Sequence, residues 1–327
     1  MRNINKLIAT LFSLCIFVLF GSGLANAATD QAGVASGFKV SPLIYEISVA
    51  KGATHTETVY VTNVDTTKAI IARPIVNDFL ASSDESGRPQ IMFDANQSAP
   101  NNSFKAIVNS MDSVTIQPGQ TAKVSVVISV PKNAEPGGYY GVVRFVSGVN
   151  SADDKSLSLS ASVGTLFLVT VPGKLTENLS LKDFSAAHNG STARLFVNVK
   201  DLSIITRLRN TGNIHVAPFG AVTVSKGSKV IEVYEFNNTS PRGSILPNSI
   251  RKFEDKLKNK SWSGKYTITA SLGYGTTGNL VTMKNTFWVI PLWFVIVVPL
   301  IILIVVVSCY LIYRKYRRSK HKIPVRR

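Results

Sequence analysis

The chain has 327 residues, 45% of them hydrophobic and 17% charged, with 36 Lys and Arg against 19 Asp and Glu and a formal net charge of +17. Much of that excess lies at the two ends, in Arg2 with Lys6 and in the run from Arg314 to Arg327, so the portion between is only modestly basic and a nucleic-acid partner is not indicated. Both cysteines, Cys15 and Cys309, fall in apolar segments, which excludes a disulfide framework for the rest.

Residues 1–27 read as a secretory signal peptide: Arg2 and Lys6 are its positive region, Leu7 to Phe20 its apolar run, and Ala25-Asn26-Ala27 a small-residue cleavage site. An uncleaved anchor is the alternative. From Phe38 the pattern becomes period two. Val124, Val126, Ile128 and Val130 alternate with Ser125, Val127, Ser129 and Pro131, which sets one apolar row toward a core. Gln117-Pro118-Gly119-Gln120 places Pro and Gly at the centre of a type II turn before that strand. Ala50-Lys51-Gly52 and Pro136-Gly137-Gly138 give similar signals before further strands, while the polar stretch from Ser82 to Ser103 reads as a long loop.

A strand from Val163 to Val171 ends at Pro172-Gly173, where the first unit closes, and the same grammar then restarts. Leu195, Val197 and Val199 alternate with Arg194, Phe196, Asn198 and Lys200. Ile204 to Leu208 runs into a turn at Asn210-Thr211-Gly212-Asn213, and Tyr266 to Leu272 supplies a late strand. Short strands with little helical periodicity predict an all-β chain of two tandem immunoglobulin-like β-sandwiches, 38–172 and 174–286. Each is of a size to hold its own core.

Residues 288–313 contain no Asp, Glu, Lys or Arg and are long enough to span a bilayer as one α-helix. Aromatic rings crowd both ends, and the segment is longer than a buried core helix. The tail 314–327 is basic and free of acid, which by the positive-inside rule keeps it in the cytoplasm and the N-terminus outside. The second unit then sits close to the bilayer with almost no stalk.

Chemistry-bearing motifs are sparse. Gly273-Tyr-Gly275-Thr-Thr-Gly278 matches a dinucleotide string, but a strand-like octet follows it where a helix is required, so it reads as a hairpin turn and no cofactor is implied. His55, His188, His215 and His321 are scattered, which gives no local metal site and no Cys–His pair. His215 reads as a hydrogen-bonded loop residue, and Asp84-Glu85 and Asp153-Asp154 as solvated loop acids. Leu246-Pro247-Asn248-Ser249 lacks the Thr-Gly pair of a sortase signal and reads as a loop. No catalytic set can be named.

The order Val40-Ser41-Pro42, the Lys51-Gly52 turn, a strand ending in Asn63, Val114 to Pro131 and Pro136-Gly-Gly-Tyr-Tyr-Gly-Val-Val-Arg-Phe145 resembles the first domain of the WxL-interacting proteins of Gram-positive cell surfaces. Leu208-Arg-Asn210, Leu246-Pro-Asn-Ser249, Gly264-Lys-Tyr266, the apolar helix and the basic tail are similar to their second domain and anchor. The resemblance implies a bacterial surface adaptor, binding peptidoglycan through the first domain and protein partners through the second. Exposed rings such as Tyr139 or Tyr140 are then the candidates for stacking on sugar, together with the Ser82 to Ser103 loop. The rival readings are an enzyme whose site is assembled from distant residues and a chaperone-like module that exchanges a strand at a sheet edge.

Overall fold

A computed structural model describes residues 37–94, 96–148 and 162–320. The signal peptide, Asp153-Asp154, His321 and the end of the basic tail lie outside the described residues.

The first unit runs β1 (Phe38–Ser41), β2 (Ile44–Ser48), β3 (Thr54–Asn63), β4 (Ile70–Ala81), β5 (Pro89–Ile91), β6 (Val114–Ile116), β7 (Thr121–Ser129), β8 (Gly137–Gly148) and β9 (Ser162–Val171). Its two sheets are ordered β1-β3-β7 and β2-β9-β8-β4-β5, with β6 also on β4. The expected row on β7 is buried: Val126 and Ile128 are inaccessible to solvent and Val124 nearly so. The turn that enters β7 forms as predicted, with Gly119 at φ 68° and the Gln120 N–H donating to the Gln117 carbonyl at 3.0 Å.

The second unit runs β10 (Leu179–His188), β11 (Ser191–Thr192), β12 (Leu195–Val197), β13 (Ser203–Asn210), β14 (Phe219–Lys226), β15 (Lys229–Phe236), β16 (Ile250–Lys256), β17 (Gly264–Tyr274) and β18 (Asn279–Ile290). Its sheets are ordered β11-β10-β13-β16 and β12-β18-β17-β14-β15. The glycine string at 273–278 is the β17–β18 hairpin turn, since Tyr274 pairs with Asn279 across it.

Both units divide their first strand between the two sheets. β1 pairs antiparallel with β3 and, past Pro42, β2 pairs parallel with β9; β10 and β12 do the same on β13 and β18. A fully buried asparagine also recurs at the same point, where the second long strand ends. The Asn63 amide donates to the Lys68 and Ile116 carbonyls and its oxygen accepts the Asp65 N–H. Asn210 donates to the Ile214 and Ile245 carbonyls and accepts the Gly212 N–H. One side chain thus satisfies three backbone groups that the end of a strand would otherwise bury unpaired. With separate apolar cores in each unit, these features make the chain two tandem immunoglobulin-like sandwiches.

Two boundaries differ from expectation. The last strand continues through Trp288, Val289 and Ile290, because β12 pairs with it there and extends the sheet by three residues. Helix α1 therefore spans Leu292–Lys320, with Pro291 alone between strand and helix, and its portion Leu292–Tyr316 is long and apolar enough to cross a membrane. β12 is also turned over relative to its apolar row: Phe196 is buried, while Leu195 and Val197 are about half exposed. Phe196 wins because its ring meets the Phe287 ring edge-on inside the core, at 6.1 Å between centroids.

Candidate functional site

The residues with the most tightly specified environments outside the cores meet where the two sandwiches touch. Tyr140, on β8, points away from the first core into this seam. Its hydroxyl accepts the His215 backbone N–H at 2.8 Å and lies 3.3 Å from His215 Nδ1, while the two rings meet edge-on at 5.6 Å between centroids. Burial pushes the Tyr140 hydroxyl pKa up and the His215 pKa down to about 4, so at neutral pH the imidazole is uncharged and Nδ1 can accept the tyrosine proton.

Two glycines make room for this arrangement. A Cβ on Gly138 would stand 1.8 Å from the Tyr140 hydroxyl oxygen, because the ring lies back along its own strand. A Cβ on Gly141 would meet the Phe104 ring at 2.0 Å. The Gly-Gly-Tyr-Tyr-Gly stretch is thus built so that one ring folds over the backbone toward the seam and another packs onto it from the core side.

Around Tyr140 the seam is knitted from both chains of elements. The Gly138 N–H donates to the Asn213 carbonyl at 2.9 Å, and the Asn213 amide donates to Pro136 and Lys174 carbonyls. Its side-chain oxygen accepts the Thr176 N–H at 2.7 Å, which fixes the connecting segment as well. At the other end of the contact Glu85 forms a two-pronged pair with the Arg207 guanidinium, and the Glu85 carbonyl accepts the Lys252 N–H at 2.8 Å. Phe79, Tyr140 and Leu168 form a small apolar cluster, onto which Leu246 of the second unit packs.

Beside this cluster opens a cleft of about 250 Å³, floored by Phe79, Tyr140 and Leu246 and rimmed by Asn101, Asn102, Asn213 and Asn248. Its apolar floor and amide rim can hold a small apolar or ring-shaped group and hydrogen-bond what flanks it. The volume is below the range of about 300–1,000 Å³ usual for whole small-molecule ligands, so the cleft suits one residue or one sugar ring of a longer polymer. A second groove is bordered by Glu46, Ser48, Glu177, His215 and Thr276.

Several sequence expectations are corrected here. Tyr139 and Tyr140 are not exposed rings: 5% and 8% of their surfaces remain accessible. Tyr139 lies in the first core with its hydroxyl donating to the Glu135 carbonyl, and Tyr140 is covered by the second unit. Neighbours on a strand face opposite ways, and here both faces are covered. Glu85 is not simply solvated but pairs across the seam, while Asp84 accepts the Ser86 N–H, and hydrogen bonds to Ser86 hold its carboxyl pKa down at about 2. The Ser82 to Ser103 stretch is tied down: it contains β5, and the buried Asp78 carboxylate accepts the Ala99 and Lys105 N–H groups. His215 is hydrogen-bonded as expected, and Leu246 to Ser249 is a loop. Among the described residues there is no group of three His, Cys, Asp or Glu placed to hold a metal ion.

No family model matches the chain, and no curated protein does. Solved structures similar to it include the class 5 fimbriae chaperone CfaA, at 14% identity over 76% of this chain and 98% of that one, with a TM-score of 0.39. The CsuC–CsuE chaperone–tip adhesin pre-assembly complex of Acinetobacter baumannii aligns at 12% identity, over 78% of this chain and 99% of the other, with a TM-score of 0.36. The CupB2 chaperone of Pseudomonas aeruginosa aligns at 11%, over 76% and 99%, with 0.32. Superpositions this loose carry no argument about what the chain binds.

Proposed function

We propose that the chain is a membrane-anchored binding or scaffolding protein of a bacterial cell surface, of the WxL-interacting kind that the sequence resembles. The observation that carries this reading is the seam. Tyr140–His215 and Glu85–Arg207 fix the two sandwiches against each other around a cleft with an apolar floor and the side-chain amides of Asn101, Asn102 and Asn248 at its rim, and the body so formed passes through a single residue into an apolar helix. Such a body presents a set binding surface at a fixed height above a bilayer. In this reading the signal peptide delivers residues 28–290 outside, the helix holds them there, and the basic tail stays in the cytoplasm.

Peptidoglycan is the proposed ligand of the cleft and its surroundings, since its sugars offer apolar faces to Leu80 and Leu246 and its hydroxyls and peptide amides match Asn101, Asn102 and Asn248. Surface proteins are the proposed partners of the second sandwich. The full chain in phospholipid nanodiscs, mixed with purified peptidoglycan, is expected to co-sediment with it, with only partial loss between low and physiological salt. Asn102→Ala with Asn248→Ala is expected to weaken that binding. No sedimentation at all would remove the wall ligand, and loss of all binding at modest salt would reduce it to charge attraction.

A second reading, a strand-exchanging module, is favoured by β15. It is an eight-residue strand at the edge of its sheet, with Val230 and Val233 more than half exposed. A Pro substitution at Val233 that abolished capture of surface proteins while leaving the fold intact would support it.

A further inference from the structure

Along the outer face of β18 the residues change character as the helix approaches. Thr282, Lys284 and Thr286 are followed by Trp288 and Ile290, and Trp288 is 49% exposed. β12 lies beside it in parallel register, Leu195 against Trp288 and Val197 against Ile290, so all four side chains share that face. Leu195 is 55% and Val197 48% exposed, although a strand with one face on the core and one in water would carry polar residues there. On the other side of Trp288 its cross-strand partner is Lys265, and Arg194 and Lys200 are exposed on the segments flanking β12. The patch is therefore apolar in the middle and cationic at the margin.

Its position says what covers it. Only Pro291 separates Ile290 from α1, so Trp288 lies within about 13 Å of the first helical residue, at roughly 3.3 Å per extended residue. The membrane-spanning portion Leu292–Tyr316 has 25 residues, about 37 Å of helix against a hydrocarbon core of about 30 Å, so its start has length to spare. The strand end then lies in or just above the headgroup layer, the depth at which Trp and Lys side chains settle.

We propose that this end of the second sandwich is a lipid-contact surface: Leu195, Val197 and Trp288 enter the headgroup layer of the outer leaflet, and Arg194, Lys200 and Lys265 meet anionic lipid phosphates. This rests on the membrane-anchor reading given above, and it adds that the domain is seated on the bilayer rather than hung from it. The seating holds the second sandwich by three attachments, the helix, the apolar patch and its cationic margin, and thereby sets the direction in which the seam and the first sandwich project.

The test uses the full chain with Cys15→Ser and Cys309→Ser, reconstituted in vesicles of phosphatidylcholine with phosphatidylglycerol at equal parts, and in vesicles of phosphatidylcholine alone. A nitroxide is attached at Leu195→Cys, and in separate samples at Val197→Cys and at Leu280→Cys, which is 68% exposed at the far end of the same sheet. Collision with oxygen and with a water-soluble nickel chelate reads the depth of each probe. The probes at 195 and 197 are expected to be shielded from nickel and open to oxygen, several-fold more so than the probe at 280. Arg194→Glu with Lys265→Glu is expected to lift the 195 probe in the anionic vesicles more than in the neutral ones. Probes at 195 and 197 as open to nickel as that at 280, in chains that resist alkaline extraction, would overturn the lipid surface while leaving the anchor. Release of the chain by alkali would overturn both. Spin–spin broadening at 195 that vanishes on dilution with unlabelled chain would assign the patch to a second copy and overturn the proposal.

Discussion

Tyr140→Phe is the sharpest probe of the seam, because it keeps the ring and removes one oxygen. The ring's contacts with Phe79, at 6.1 Å, and with His215, at 5.6 Å, stay in place. What is lost is the acceptor for the His215 N–H, 2.8 Å away, and the neighbour of Nδ1 at 3.3 Å. A donor left unpaired in a part-buried site costs about 1–3 kcal/mol, against a net worth near 1 kcal/mol for an ordinary hydrogen bond. Because this bond joins the two sandwiches and belongs to neither core, the loss should appear first as local opening of the seam. Hydrogen exchange at neutral pH on the full chain in nanodiscs reads it directly. The amides of His215 and of Gly138, whose N–H crosses the same contact, are expected to exchange on the order of 5- to 150-fold faster, the equivalent of that energy range. Amides in β17, such as Ile268, should not change. Unchanged exchange at His215 would refute the assigned role of the hydroxyl. Equal acceleration at Ile268 would show that the seam does not open separately from the second core.

Three further outcomes follow from the same geometry. The folded state holds His215 neutral with its pKa near 4 against about 6.5 unfolded, so stability is constant above the unfolded value and falls as pH drops from about 6.5 to 4. The loss is about 2 kcal/mol after allowance for a ring that is only partly shielded, and urea titrations of wild type and His215→Gln should show that step in the wild type alone. Asp255 has the opposite linkage. Burial raises its pKa to about 6, so its contribution is full below about pH 4 and is lost as pH rises through 6. Asp255→Asn should therefore gain about 1–2 kcal/mol at pH 7.5 and nothing at pH 4, and an equal effect at both pH values would rule out the carboxylate as the cause. Ile128→Asp places an unpaired charge where no solvent reaches, which should unfold the first sandwich outright. The second, with its own core around Ile268 and Leu272, should stay folded but lose protection along the seam, and loss of protection at Ile268 itself would make the two sandwiches one cooperative unit.

The strands were legible because their chemistry is local. The row Val124, Val126, Ile128 is apolar throughout, while the alternating positions include Ser125 and Ser129, so period two settles both the strand and its orientation. In β12 the segment itself points to the wrong row, since Leu195, Val197 and Val199 are all apolar while Phe196 shares its row with Arg194, Asn198 and Lys200. The choice is made by Phe287 and Trp262, some distance along the chain, whose rings close the lower core of the second sandwich and leave a slot for one more aromatic. The extra strand residues at 288–290 were hidden for the same reason: an apolar tripeptide before an apolar helix reads as helix until a partner strand is known.

The seam was out of reach for a different reason. Glu85 and Arg207 are 122 positions apart, and Tyr140 and His215 are 75 apart, so no spacing rule connects them. The residues did carry a signal, though of a kind that only geometry decodes. Gly138 and Gly141 frame two adjacent tyrosines in a strand, where glycine is otherwise unfavourable for want of a side chain to pack. In a lone sandwich that stretch would leave one tyrosine facing water, which is why exposure was the natural expectation. Glycine at 138 makes sense only if the ring at 140 is pressed flat along the strand, and a ring is pressed flat only when something covers it. What covers it is the second sandwich, and the cleft beside that covered ring is where the proposed ligand would meet both domains at once.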